Sequence, residues 1–274
     1  MSVQKAQALI TAIEKSGEKF TTIFEQTRIQ WRRFGSGKPL LLIHGGSGGW
    51  LHWVHNIEAL ASQYTLWLPD LPGCGESQDL ASPINVPRLA QALSQSIDSL
   101  IGVDAEVGIA GFSFGSIVAV HLAQLRGGVS RLALLGPTGH GLPREPLKLK
   151  NWRFLPPGPE QFEAHKHNLA QLMLHEPAAI DDLALQIHIE ASELARLRGK
   201  KFSHTDVIRQ ALDQLQIPTL MVWGAHDPTA HVSSAAQTLT DGHPHRRSIV
   251  IEGAGHWIQF ERPAEVNALL SDWF

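Results

Sequence analysis

Cysteine is almost absent from this chain: Cys74 is the single one in 274 residues. That excludes an internal disulfide and fits a reducing compartment. An excess of one charge is missing as well. The formal net charge is −3 with both signs well mixed, which gives no footing to a nucleic-acid or anionic-membrane partner. No apolar run reaches the roughly 18 residues of a transmembrane span, and the first residues lack the apolar core of a signal peptide. The expected setting is cytoplasmic. Internal repeats and low-complexity tracts are missing too. The glycine-rich stretch Gly45–Gly49 is followed by no Lys-Ser/Thr and lacks the G-x-G-x-x-G spacing, which removes a phosphate-binding loop. Metal-ligand spacing is not found: His165 and His167, two positions apart on a helix, point to different faces. No cofactor and no metal are expected.

What the chain does have is 43% hydrophobic residues, enough for one large core with an inserted subdomain. Residues 1–19 carry a helical apolar stripe through Ala6, Leu9, Ile10 and Ile13, with Gly17 as its stop. Thr21–Glu25 and Ile29–Phe34 read as antiparallel strands, and Pro39–Ile43 as a fully apolar one. Further strands are expected near 65–68, 107–110, 132–135, 219–223 and 248–251, and helices near 86–101, 231–239 and 263–274. Such alternation predicts an α/β fold, a mostly parallel sheet flanked by helices. The rhythm breaks between 138 and 212, where helix-prone sequence stands alone. The expected organisation is a core in two parts, 1–137 and 213–274, with 138–212 inserted as a helical lid over the carboxyl edge of the sheet, the edge where such sheets bind ligands.

The stretch with chemistry is Gly111-Phe112-Ser113-Phe114-Gly115, between the apolar runs Val107–Ala110 and Ser116–Val120. It reads as a strand, a sharp turn and a helix, with a serine at the apex. Side chains two residues to either side of so tight a turn would collide, which accounts for the glycines. A serine hydroxyl is a poor nucleophile without a base, and the base needs an orienting acid. The histidine that fits is His256, in a glycine-flanked loop after the last apolar strand. The acid is Asp227, just past the preceding strand. The order Ser…Asp…His then holds, whereas Asp70 precedes the serine. Cys74 has neither a helix start nor a base beside it and reads as a small loop residue.

With these residues in place, the chain resembles the α/β-hydrolase-fold enzymes along nearly its whole length. His44-Gly45-Gly46 is similar to their oxyanion loop, Gly111–Gly115 to the nucleophile elbow, Trp223–Asp227 to the acid loop and Gly255-His256 to the histidine loop. The resemblance implies that the N–H groups of Gly46 and Phe114 form an oxyanion hole. The tail Gly255–Pro263 and the glycine-rich oxyanion loop look similar to the meta-cleavage-product C–C hydrolases. That subfamily usually has Asn before and Met after the serine. Here Phe112 and Phe114 stand there, and Ser116 replaces the following glycine. Its members also need cations for a dienoate carboxylate, for which Arg153, Arg196 and Arg198 are the lid candidates.

The expectation is a cofactor-free serine hydrolase acting through Ser113, His256 and Asp227 on a small, moderately hydrophobic ester, lactone or related acyl substrate. Trp50, Phe112 and Trp257 would line the substrate pocket, and Trp53 is read as core. The rivals are a C–C bond hydrolase with the same triad and a ligand-binding protein that keeps the fold without the chemistry. Monomer and homo-oligomer both remain open.

Overall fold

Apolar runs bounded by glycine and proline become strands wherever both faces are to be covered, and here they pile into one sheet. The computed structural model describes every residue except Arg198, and every side chain except those of Arg198, Lys200 and Lys201. Among the described residues eight strands form one sheet: β1 (Glu18–Phe24), β2 (Thr27–Phe34), β3 (Lys38–Ile43), β4 (Tyr64–Pro69), β5 (Val107–Phe112), β6 (Val129–Leu135), β7 (Thr219–Gly224) and β8 (Arg246–Ile251). Their spatial order is β1-β2-β4-β3-β5-β6-β7-β8. β1 pairs antiparallel with β2, and β2 antiparallel with β4. Every later pair is parallel. β5 and β7 are buried along their whole length, as a strand covered on both faces must be.

The helices are α1 (Val3–Ser16), α2 (Ile57–Ala61), α3 (Val86–Ile101), α4 (Phe114–Leu125), α5 (Pro159–Asn168), α6 (Asp182–Leu194), α7 (Lys200–Ser203), α8 (Val207–Leu212), α9 (Val232–Thr240), α10 (Ile258–Glu261) and α11 (Pro263–Trp273). Gly17 follows α1 as its cap, its N–H bonded to the Glu14 carbonyl. α3 begins under the Asn85 side chain, which accepts the Arg88 N–H, and has Pro87 in its first turn. Two apolar clusters result, one on each face of the sheet, with α3 and α4 in the first and α2, α6 and α11 in the second.

The segment 138–212 contains no strand among its described residues, as its composition predicts, but it is not helical throughout. Residues 137–151 carry no helix at all. Pro137, Pro143 and Pro146, with the positive-φ glycines Gly139 and Gly141, explain why: the chain there cannot hold an unbroken i→i−4 ladder. After α5 the chain runs into a single π-turn, Leu169–Met173. No helix of the described residues is long and apolar enough to cross a membrane.

Candidate active site

β5 delivers Ser113 to the carboxyl edge of the sheet and α4 starts on the next residue. The turn between them puts Ser113 at φ 53°, ψ −118°, a conformation that costs a non-glycine residue on the order of 1–3 kcal/mol. The flanking glycines answer a steric demand. A Cβ at Gly111 would come 2.5 Å from the Gly115 carbonyl oxygen, and one at Gly115 would come 2.4 Å from the His44 oxygen.

The loops after β7 and β8 bring the other two residues to the same place. His256 Nε2 lies 2.8 Å from Ser113 Oγ, and His256 Nδ1 lies 2.7 Å from Asp227 Oδ2. Asp227 and His256 are buried and Ser113 is half-buried. Asp227 has a further partner that sequence reading did not single out. Thr229 donates to its Oδ1 twice, from the backbone N–H at 2.8 Å and from the hydroxyl at 2.7 Å. Burial pushes the Asp227 carboxyl up, but the His256 charge and the hydrogen bonds from His256 and Thr229 outweigh it and hold the group below its ordinary value. A carboxylate so held keeps the proton of the facing imidazole on Nδ1, leaving Nε2 to accept from the serine.

The oxyanion loop reaches this constellation from the end of β3. A Cβ built on Gly45 would lie 3.2 Å from the Ser113 Cβ, and one built on Gly46 would lie 3.5 Å from the Phe114 Cβ. The loop thus runs against Ser113 at Gly45 and against Phe114, the next residue, at Gly46. The protein itself leaves room for a side chain at 46, since 3.5 Å is ordinary contact; only an occupant of the site could require glycine there.

Of the pocket residues, Phe112 is brought to the centre, its ring 5.1 Å from that of His256, although it is fully buried. Trp50 and Trp257 are not placed as walls. Trp50 is stacked on Phe34 at 5.9 Å and lies under the Arg32 guanidinium at 4.5 Å. Trp257 is closed off against Phe260 and donates its indole N–H to the His52 carbonyl at 2.9 Å. Large apolar rings beside a loop are as useful for fixing it as for lining a cavity, and sequence alone does not separate the two. Trp53 is core. Phe114 packs on Phe202 and Gly199 of the inserted segment.

Asp70, the other strand-end carboxylate, is buried against Arg32 at 3.2 Å and accepts the Trp50 and Glu76 N–H groups. Arg196 pairs with Asp79 at 2.6 Å, and the exposed Arg153 donates to the Ser192 carbonyl and lies over Trp152. Neither of these contacts is with Ser113; Arg198 lies outside the described residues. Cys74 is buried and its thiol pushed up to about 12 by burial, which makes it inert. His165 turns inward onto Trp152 and His188, while His167 meets the Lys148 carbonyl. Among the described residues no group of three or more His, Cys, Asp or Glu is placed to hold a metal ion.

Comparison with known proteins agrees with this architecture. The chain is 28% identical over 95% of its length to a 2-hydroxy-6-oxo-6-phenylhexa-2,4-dienoate hydrolase of Burkholderia cepacia, of which 97% is covered. It is 26% identical over 81% of its length to a pimeloyl-[acyl-carrier protein] methyl ester esterase of Xanthomonas campestris, covering 89% of that protein. It is also 28% identical to a dihydrolipoyllysine-residue acetyltransferase component of the acetoin cleaving system of Pseudomonas putida, over 87% of this chain but only 64% of that protein. The crystal structure of a meta-cleavage product hydrolase (CumD) variant superposes with a TM-score of 0.76 at 22% identity, covering 93% of this chain and 97% of that one. A family model described as the alpha/beta hydrolase family matches residues 40–269, and the chain belongs to that family.

Proposed function

We propose that this hydrolase is a serine hydrolase that cleaves a carboxylic ester, lactone or related acyl bond through an acyl-enzyme. The carrying observation is the unbroken line from Asp227 through His256 to Ser113, with links of 2.7 and 2.8 Å. Ser113 Oγ attacks the carbonyl carbon as His256 Nε2 takes its proton. The carbonyl oxygen becomes an oxyanion facing the Gly46 and Phe114 N–H groups, where losing one donor costs about 2.7–4 kcal/mol of barrier in enzymes of this kind. His256 returns the proton to the departing alkoxide, and a water molecule then repeats the sequence on the acyl-serine. Asp227 holds the imidazolium between the two transfers. Segment 138–212 acts as a lid, presenting Phe202 to Phe114 and excluding water from the site.

The kinship with dienoate hydrolases favours a second reading, C–C cleavage of a ring-fission product by the same three residues. We place it second because two of the arginines available for a dienoate carboxylate, Arg153 and Arg196, are engaged by Ser192 and Asp79. A panel of p-nitrophenyl esters, lactones and dienones, assayed with wild type and Ser113→Ala, decides between them. Esters should be turned over, and Ser113→Ala should lower kcat by about three or more orders of magnitude. Hydrolysis of dienones alone would reverse the ranking. Hydrolysis of nothing, with no labelling by a fluorophosphonate, would leave a ligand-binding protein.

A further inference from the structure

A backbone N–H stabilises an oxyanion only while it points at one. The Gly46 N–H belongs to the peptide unit whose other end is the Gly45 carbonyl, and glycine on both sides makes that unit free to rotate. His44 grips that unit directly, and His52 fixes the peptide unit before it, so that rotation about both Gly45 backbone bonds is restrained from the two sides. The Leu71 N–H lies 2.9 Å from His44 Nε2, so the His44 proton is on Nδ1, which donates to the Gly45 carbonyl at 2.7 Å. Across the Gly45 Cα, the N–H of the preceding His44–Gly45 peptide donates to His52 Nδ1 at 3.2 Å, which leaves the His52 proton on Nε2. A planar trans peptide then sets the Gly46 N–H opposite the carbonyl that His44 grips. His52 is itself fixed. Its ring contacts Phe112 and Trp257 at 5.4 and 5.0 Å, and its own carbonyl receives the Trp257 indole N–H. Gly48 makes the room: a Cβ there would lie 2.2 Å from His52 Cε1.

We propose that His52, acting with His44, is a positioning residue that locks the Gly45–Gly46 peptide with the Gly46 N–H facing the carbonyl attacked by Ser113. The proposal rests on the reading of Ser113 as nucleophile and Gly46 as oxyanion donor. Both histidines must be neutral to make these bonds. Burial lowers His44, and burial with the neighbouring His44, His188 and His256 lowers His52 well below its ordinary value. Trp257, one residue past His256, thereby ties the proton-transfer loop to the oxyanion loop.

The test uses the full chain, a p-nitrophenyl ester and an alkyl trifluoromethyl ketone. Ser113 adds to the ketone: the Oγ–C bond forms, the hydroxyl proton passes to His256 and the C=O π pair becomes an oxyanion in the hole. His52→Leu should lower kcat about 10- to 100-fold with KM within about threefold, the split expected of an interaction made in the transition state. The ketone inhibition constant should rise by the same factor. His52→Asn, whose side-chain oxygen can accept the Gly45 N–H, should restore most of both. Should His52→Leu fail to fold, Gly48→Ala displaces the ring without removing it and should give the same paired loss. Wild-type kcat and ketone affinity in folded His52→Leu or in folded Gly48→Ala overturn the lock. Retention of ester hydrolysis by Ser113→Ala overturns the underlying reading instead.

Discussion

In the proposed triad Asp227 is a buried carboxylate that must stay charged, and hydrogen-bond donors share in holding it so beside His256. His256 supplies one and Thr229 two. Removing a donor from a buried charged acceptor leaves part of its desolvation uncompensated, at about 1–3 kcal/mol. Thr229→Val keeps the N–H and the shape and deletes only the hydroxyl. It should lower kcat on esters by about tenfold with little change in KM, measured by steady-state kinetics; full activity would show that the hydroxyl is dispensable. At this scale the sequence announced Ser113, His256 and Asp227, because each follows an apolar strand and sits among turn-forming residues. His44 shares that mark, directly after β3 and before two glycines, but Thr229 and His52 do not. Their roles depend on where three loops meet, and a histidine nine residues past the end of a strand looks like any surface histidine until Gly48 is seen to make way for it.

Segment 138–212 is anchored unequally. Near its middle, the Met173 carbonyl accepts the Trp257 N–H at 2.7 Å. Glu261 clasps both sides of that junction, accepting the Glu176 N–H at 2.5 Å and the Gly255 N–H at 2.7 Å, in a buried position next to the histidine loop. Residues 143–158, by contrast, hold no α-helix, only a single 3-10 turn at Trp152–Phe154, and include Phe154, which is 85% exposed. Composition distinguishes the segment from the core because helix-period sequence replaces strand signals, but it does not show which part is pinned, since the pinning residue lies outside the segment in α10. If the segment opens as a lid, its outer arm should move and its 172–176 stretch should stay. Amide exchange should therefore be fastest in 143–158 and slowed there by a phosphonate on Ser113. Glu261→Ala should lower stability by about 1–3 kcal/mol and accelerate exchange at 174–176 and 254–256, because one buried and one half-buried N–H group lose their acceptor. Uniform exchange across 143–176 would mark a fixed wall.

For the whole molecule, strand–helix alternation was enough to read the parallel core, since each apolar run buried on both faces needs helices above and below. The placement of β4 between β2 and β3 was not legible, because strand order is set by crossovers that leave no local pattern. Nor was the fate of the histidines, fifteen in number and spread along the chain. His44, His52, His140 and His188 are held below their ordinary value, burial being the leading cause each time, with His188 brought to about 4. Their sum makes a prediction about acid. In the unfolded chain these groups bind protons below about 6.5, while in the folded protein they stay neutral, so the unfolded state takes up more protons and stability falls as pH drops from about 6.5 toward the folded values. The carboxylates act elsewhere. Asp227 and Glu14 are held below the usual carboxylate range, and their contribution is lost only as pH falls through about 4 and below. The interval from pH 6.5 to 5 thus isolates the histidines. Urea unfolding should show a loss of stability across it, to which His188 alone contributes about 2 kcal/mol at pH 5. His188→Leu, having no proton to gain, should lose correspondingly less between the two pH values whatever its stability at pH 7. Equal stability of the wild type at pH 7 and pH 5 would mean that the buried histidines accept protons as readily folded as unfolded.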